Sequence, residues 1–264
     1  MNQGPRARAG WSIMQFRIHG KTHRGKKRRR NEDDVFVTDF PHRPEVRALL
    51  VVSDGMGGHA AGDVASRLTV QSFEAAARSL PETALDERSG EALLVHATAA
   101  ANSALAEHVR TKPRAHGMGA TVVTALIFND GRVLIAWLGD SRAYLLRDSR
   151  PKLLTTDHSY VNDLVARGEI TPEAAKHHPD RNIITRALGV GPPARCDTIT
   201  AQLEQGDVLM LCSDGLSSVI SEGAMALAAS MQDQPETLCK ALIAQANKRG
   251  GPDNITVAVA YCDG

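Results

Sequence analysis

Five aspartates, Asp33, Asp54, Asp140, Asp214 and Asp253, stand at the mouths of short apolar, strand-like runs scattered along a chain of 264 residues. Two of the runs finish in the same word: ALLVVSDG delivers Asp54 and Gly55, and DVLMLCSDG delivers Asp214 and Gly215. A carboxylate leaving an apolar strand is costly to desolvate unless positive charge meets it, and five drawn together from distant segments would repel one another. A fold that gathers these strand ends has to supply cations. Hard divalent ions meet that need most directly.

The rest of the chain narrows the setting. A hydrophobic content of 42% supports a sizeable core, and no linker divides the sequence, so a single domain over residues 13–264 is expected. Residues 1–12 carry Arg, Gly and Pro without the apolar stretch of a signal peptide and read as a disordered tail. No apolar run approaches the roughly 18–20 residues of a membrane helix. With 31 Lys plus Arg against 30 Asp plus Glu, the net charge of +1 offers no global attraction to nucleic acid or lipid. Cys196, Cys212, Cys239 and Cys262 form no CxxC pair, which argues against a zinc knuckle or a disulfide framework and fits a reducing cytoplasm.

Apolar periodicity predicts strands at Thr121–Phe128 and Arg132–Leu138, joined by the turn residues Asn129, Asp130 and Gly131 as an antiparallel hairpin. A third strand, Arg142–Arg147, follows Gly139, Asp140 and Ser141 and would complete a three-strand meander with Asp140 at its second turn. Further strands are expected at Val35–Thr38, Ala48–Ser53, Asp207–Cys212 and Ile255–Tyr261. Ala61, Val64, Ala65 and Leu68 share one helical face, as do Leu94, Ala97, Ala101, Leu105 and Val109, and each helix would cover one sheet face. A polar, helical insert spans about 159–180, and a last helix runs from Pro235 to Lys248. Antiparallel strands with helices laid outside them give an α+β layered sandwich.

Three glycines in the four positions after Asp54 permit backbone conformations closed to other residues and let a carbonyl, that of Gly55, turn inward beside the carboxylate. This is no phosphate-cradling P-loop, because Gln15 stands where the first glycine before Gly20, Lys21 and Thr22 would be needed. The five aspartates offer oxygen ligands only, with no His or Cys at metal-binding spacing, which points to magnesium or manganese rather than zinc.

In order along the chain stand RxxNED (from Arg28), DGMGGHxAG, GMGxT, GDSRxY, DHS, RGEIT, HP, NIITRALG, SDGL and DNIT. In this combination the chain resembles the PP2C-type (PPM) metal-dependent protein serine/threonine phosphatases, especially the compact bacterial members, over about Thr22–Tyr261. The resemblance implies a four-layer α-β-β-α sandwich of two antiparallel sheets flanked by helices. It implies two core Mn2+ or Mg2+ ions, with Asp54 as the bridging ligand, the Gly55 carbonyl on one ion, and Asp214 and Asp253 on the other. Asp33 matches the acidic residue that meets the metals directly or through water, with Glu32 and Asn254 supporting the ligands from behind. Asp140, together with Asp214, corresponds to a third, weaker metal site.

Arg28 lies where the family places the arginine that holds the substrate phosphate, a task suited to the forked donors of a guanidinium. Arg28, Asp54 and Asp214 are thus the residues expected to carry catalysis. Lys26, Lys27, Arg29 and Arg30 read as a solvated edge, with docking of acidic or phosphorylated partners as the other reading. A water bridging two cations has its pKa lowered far below the bulk value of about 15.7, so hydroxide becomes available for in-line attack on phosphorus. A cysteine-based route lacks its arginine: Gln202, Ser218 and Gln245 stand six residues after Cys196, Cys212 and Cys239. Met56 replaces the histidine that animal members often carry, leaving the general acid unassigned; His59 is not the equivalent position. Ala120 replaces a more usual Thr, an exchange expected to affect only packing.

The resemblance implies phosphorylated protein substrates, a cognate bacterial Ser/Thr kinase, a monomer, and the insert at 159–180 as a flap bearing on substrate choice. The alternatives are a pseudophosphatase that keeps the fold as a binding module, disfavoured because no matching aspartate is missing, and a nucleic-acid binder. The second rests on one short basic run without interleaved aromatics.

Overall fold

The computed structural model describes residues 14–57, 61–80, 85–191 and 195–263. The expected tail over 1–12 and His59 lie outside the described residues. The chain opens with β1 (Gln15–His23), β2 (Asp33–Asp39) and β3 (Val46–Met56), then the long helices α1 (Gly62–Arg78) and α2 (Glu87–Thr111). Next come β4 (Gly119–Ala120), β5 (Val122–Phe128), β6 (Arg132–Leu138), β7 (Arg142–Arg147) and β8 (Arg150–Leu153). The short helices α3 (Tyr160–Ala166) and α4 (Pro172–Lys176) precede β9 (Asp197–Gln202) and β10 (Val208–Cys212). The described chain closes with α5 (Asp214–Ser217), α6 (Glu222–Ser230), α7 (Pro235–Lys248) and β11 (Ile255–Asp263).

The strands form two antiparallel sheets, ordered β1-β11-β10-β7-β8 and β2-β3-β5-β6-β9, with β4 paired to β3. Each central strand is apolar on both faces, and the period-2 alternation of a strand decides which core each side chain enters. Leu49 and Val51 of β3 face α1 and α2, joining Phe73, Leu94 and Leu105. Their neighbours Leu50 and Val52 face the other sheet, meeting Leu209, Leu211, Ala258 and Ala260. On that second sheet Met210, Cys212, Val257 and Val259 point outward against Met225, Leu238 and Leu242 of α6 and α7. Burying such side chains contributes roughly 1.5–3 kcal/mol each, and every central strand contributes to two of the three cores. The result is the α-β-β-α sandwich.

Two expectations are corrected. Strands β5, β6 and β7 do not form one meander: β6 pairs with β5 and β9, whereas β7 pairs with β8 and β10 in the other sheet. Gly139–Ser141 is thus a crossing between sheets. Both backbone groups of Gly139 are taken up by His158, whose Nδ1 accepts from the Gly139 N–H (3.0 Å) and whose N–H donates to its carbonyl (2.9 Å), so the turn is not closed by a hairpin ladder. The second correction concerns α1 and α2, which lie side by side over the same sheet; the opposite outer face belongs to α6 and α7. The insert at 159–180 holds α3 and α4, capped by the side chains of Ser159 and Thr171. Its neck closes where Ser159 bridges Ile184.

Candidate metal centre

Strand ends of the two sheets converge at one place. Asp33 on β2 and Asp54 on β3 are direct partners in the antiparallel ladder, which puts their carboxylates side by side on one face. Like charges so placed destabilise a sheet on their own. Asp214 opens α5 after β10, and Asp253 precedes β11, the neighbour of β10, so both arrive from the other sheet. Asp140 arrives on the crossing between the sheets. Main chains cross closely here: a methyl group at Gly55 would stand 1.9 Å from the Gly62 carbonyl oxygen, and one at Gly215 would stand 1.8 Å from that of Asn254. Glycine is required at both positions.

Hydroxyl groups hold the carboxylates in place. Asp33 Oδ2 accepts from Ser213 Oγ (2.7 Å) and Thr256 Oγ1 (2.6 Å). Thr121 receives the hydrogen bond of the Asp54 N–H on its Oγ1 (3.1 Å), and that same oxygen lies 2.7 Å from Ser141 Oγ, linking the Asp54 strand to the Asp140 turn. Asn254 braces three segments: its Oδ1 accepts from the Glu32 N–H (2.7 Å) and its Nδ2 donates to the carbonyls of Arg24 and Arg30 (2.8 Å each). Glu32 Oε2 and the Gly55 carbonyl oxygen both press against Gly62, 3.0 and 2.8 Å from where a Cβ would stand. Arg28 Nη2 donates to Asp253 Oδ2 at 2.6 Å, so the half-exposed guanidinium borders the same cluster.

The electrostatics show what the cluster lacks. Burial raises the Asp33 carboxyl to about 7, although the Thr256 and Ser213 hydroxyls work against it. Asp54 is pushed well above the usual range by burial and then by the charge of Asp33. Asp140 rises to about 7 through burial and then the charge of Asp214. Asp214 is raised by burial and by Asp253, and a hydrogen bond with Asp54 opposes the rise. Asp54, Asp140 and Asp214 nonetheless keep part of their surface open. Asp140 and Asp214 face a cavity.

That cavity measures about 1150 Å³ and is lined by Asp140, Asp214 and Asp253 together with Val161, Pro172 and Lys176 of the insert. A shallower cleft of about 550 Å³ beside Glu45, Glu91 and Arg132 shares none of these residues. Divalent cations fit the donor set. Asp33 Oδ1 and Asp214 Oδ1 are buried oxygens without a hydrogen-bond partner, and all the donors are hard oxygens. Among the described residues no three His, Cys, Asp or Glu side chains form a ready-made cage. Mg2+ is typically held through one or two carboxylates and keeps several waters, so a looser arrangement suits it.

All nine residues singled out from the sequence, Arg28, Glu32, Asp33, Asp54, Gly55, Asp140, Asp214, Asp253 and Asn254, stand at or directly behind this cluster. Sequence reasoning did not assign the hydroxyls of Thr121, Ser141, Ser213 and Thr256 or the clasp at the neck of the insert. In that clasp Trp137 Nε1 donates to the Thr156 carbonyl (2.8 Å), and Arg186 reaches both His158 Nε2 (2.8 Å) and Asp197 (2.8 Å). Serines next to Asp54, Asp140 and Asp214 were the available signal, but hydroxyl residues are too common near strand ends for the pattern to stand out.

A family model described as Protein phosphatase 2C matches residues 19–249. The serine/threonine protein phosphatase PstP of Mycobacterium tuberculosis is 40% identical over 247 residues, covering 93% of this chain and 45% of that relative. The present chain thus spans less than half the length of that protein. The serine/threonine phosphatase stp of Listeria innocua is 37% identical over 237 residues, 90% of this chain and 92% of the relative. Among solved structures, the catalytic domain of PstP in complex with two manganese ions superposes with a TM-score of 0.80 at 36% identity, covering 95% of this chain and all of that one.

Proposed function

Because the chain belongs to the protein phosphatase 2C family, we propose that it hydrolyses phosphoserine and phosphothreonine in protein substrates, with two Mn2+ or Mg2+ ions as cofactors. The observation that carries this reading is the meeting of Asp33 and Asp54 from one sheet with Asp214 from the other, two of them with a buried oxygen unpartnered. Asp54 and the Gly55 carbonyl would hold one ion, and Asp54, Asp214 and Asp253 would hold the other. Asp33 stands behind them as a close or water-mediated partner, and Asp140 with Asp214 forms a weaker third position. When bound, the cations supply an activated water for attack on phosphorus and neutralise the phosphoryl oxygens.

The chain's own residues do the positioning. Arg28 uses one nitrogen on Asp253 and has further N–H donors for the substrate phosphate. Asn254 fixes the segments carrying Arg28 and Glu32 relative to Asp253, so that the phosphate and the carboxylates keep one geometry. Residues 13–264 act as one phosphatase domain, the insert at 159–180 serves as its flap, and the protein works as a monomer in the cytoplasm against a Ser/Thr kinase. Among the described residues no helix is long and apolar enough to cross a membrane. The reading of the chain as a pseudophosphatase is not favoured, since every matching aspartate is present.

The direct test is hydrolysis of a chromogenic aryl phosphate with millimolar manganese, without added metal, and with chelator. Turnover that requires manganese and disappears on chelation is expected. No turnover in manganese, or turnover indifferent to the chelator, would overturn the assignment.

A further inference from the structure

We propose that the loop joining β1 to β2 is a docking rim for acidic side chains that flank the phosphorylated residue of the protein substrate, an inference that rests on the function proposed above. Six of the seven residues at 24–30 are cationic: Arg24, Lys26, Lys27, Arg28, Arg29 and Arg30. All six are exposed. Only Arg28 has a carboxylate within salt-bridge distance; among the described residues Arg24, Lys26, Lys27, Arg29 and Arg30 have none within 4.0 Å. In a chain whose net charge is +1, this is a strongly local surplus of positive charge at the margin of the phosphate site.

A solvated edge would require the charges and nothing more, but this loop is built to hold them still. Asn254 Nδ2 ties its two ends together through the carbonyls of Arg24 and Arg30 (2.8 Å each). The N–H groups of Lys26 and Lys27 both donate to the Gly251 carbonyl, at 2.9 and 3.1 Å. Gly25 takes φ +76°, and a Cβ there would stand 2.0 Å from the Asp253 carbonyl oxygen, so the loop lies directly on the segment that carries a metal-site aspartate. The main chain that carries the cations is therefore held at a fixed position relative to the candidate metal centre.

The geometry selects the partner. A phosphoresidue seated at Arg28 places its neighbours within about three positions, roughly 10 Å of extended chain, of Arg28 and hence beside Lys26, Lys27, Arg29 and Arg30. Carboxylates at those positions meet unpaired cations carried on a main chain that is already fixed, which lowers the cost of association. Nucleic acid fits less well, because the loop has no aromatic side chain on which a base could stack.

The test uses the full chain with manganese and two phosphothreonyl peptides that differ only in their flanks, Asp/Glu in one and Ala/Gln in the other. At an ionic strength near 0.1 M we expect kcat/KM about tenfold higher for the acidic peptide, carried by KM, falling toward parity near 1 M salt where the Debye length is about 3 Å. The variant Lys26→Gln/Lys27→Gln/Arg29→Gln/Arg30→Gln should lose the preference by weakening use of the acidic peptide. Equal kcat/KM for the two peptides on the unaltered protein would overturn the inference while leaving the proposed function standing, and so would a preference that survives in the variant. A preference confined to a peptide with a second phosphate, or stronger competition by a short oligonucleotide than by the acidic peptide, would also overturn it. Failure to hydrolyse either peptide or an aryl phosphate would instead remove the proposed function itself.

Discussion

Without a bound cation, the protein should lose stability as pH rises from 5 to 8. Asp33 is almost wholly buried, and burial moves its carboxyl from 3.8 in an unfolded chain to about 7 in the fold. Over that interval the folded state holds a proton that the unfolded state has released, so stability falls with rising pH. At about 1.36 kcal/mol for each tenfold change in proton affinity, the full shift corresponds to on the order of 4 kcal/mol, of which on the order of 3 kcal/mol is lost between pH 5 and 8, the loss being complete just above neutral pH. Asp140, also raised to about 7, acts in the same direction. For a domain of this size the change corresponds to a fall in Tm on the order of 10 °C. The assay is thermal unfolding in chelator at half-unit pH steps. Asp33→Asn keeps an acceptor for the Ser213 and Thr256 hydroxyls but carries no charge, so its metal-free stability should be higher than that of the unaltered protein at pH 8 and its pH slope shallower. Saturating manganese should flatten or reverse the slope, because cations bind the ionised form; at a concentration of 100 Kd the gain is about 2.7 kcal/mol. A midpoint in chelator that is constant or rises between pH 5 and 8 would refute the reasoning, as would an unchanged slope in Asp33→Asn.

Single substitutions should separate the roles of the site residues. Asp214→Ala should lower kcat by a factor on the order of 10³ or more, measured on an aryl phosphate, and turnover like that of the unaltered protein would contradict its placement at the metals. Arg28→Ala should raise KM about tenfold with a smaller effect on kcat; an unchanged KM would remove it from the phosphate site. Gly215→Ala should cost about 3 kcal/mol or more in a denaturant melt, since the new methyl group meets the Asn254 carbonyl at 1.8 Å. A stable Gly215→Ala protein would show that the crossing of main chains is looser than described.

What the sequence made legible follows from where its physical signals are strong. β6, β7 and α7 have the bounds that apolar periodicity predicted, because each is a contiguous run with clear turn or cap residues at its ends. β1 and β9 were not expected: β1 is half-buried along most of its length, and β9, with the sequence DTITAQ, is a polar edge strand. The exchange of sheets at Gly139–Ser141 depends on contacts with His158, 19 residues away, and nothing local distinguishes it from a hairpin turn. The aspartates of the site were legible because each stands at or near a strand terminus and sits in an ordered set of motifs. Their pairing was not, because the direct opposition of Asp33 and Asp54 depends on register, which lies between strands. The basic run was visible from the start, but its fixation by Asn254 and Gly251 appears only when residues more than 200 positions apart are brought together.

The central claim is that Asp33, Asp54, Asp214 and Asp253 converge in order to hold two divalent cations. Anomalous diffraction from crystals of the protein equilibrated with manganese tests it most directly. Two manganese peaks are expected, both in contact with Asp54, one also with the Gly55 carbonyl and the other with Asp214 and Asp253. A single peak away from Asp54, or no peak beside these carboxylates at millimolar manganese, would contradict the account.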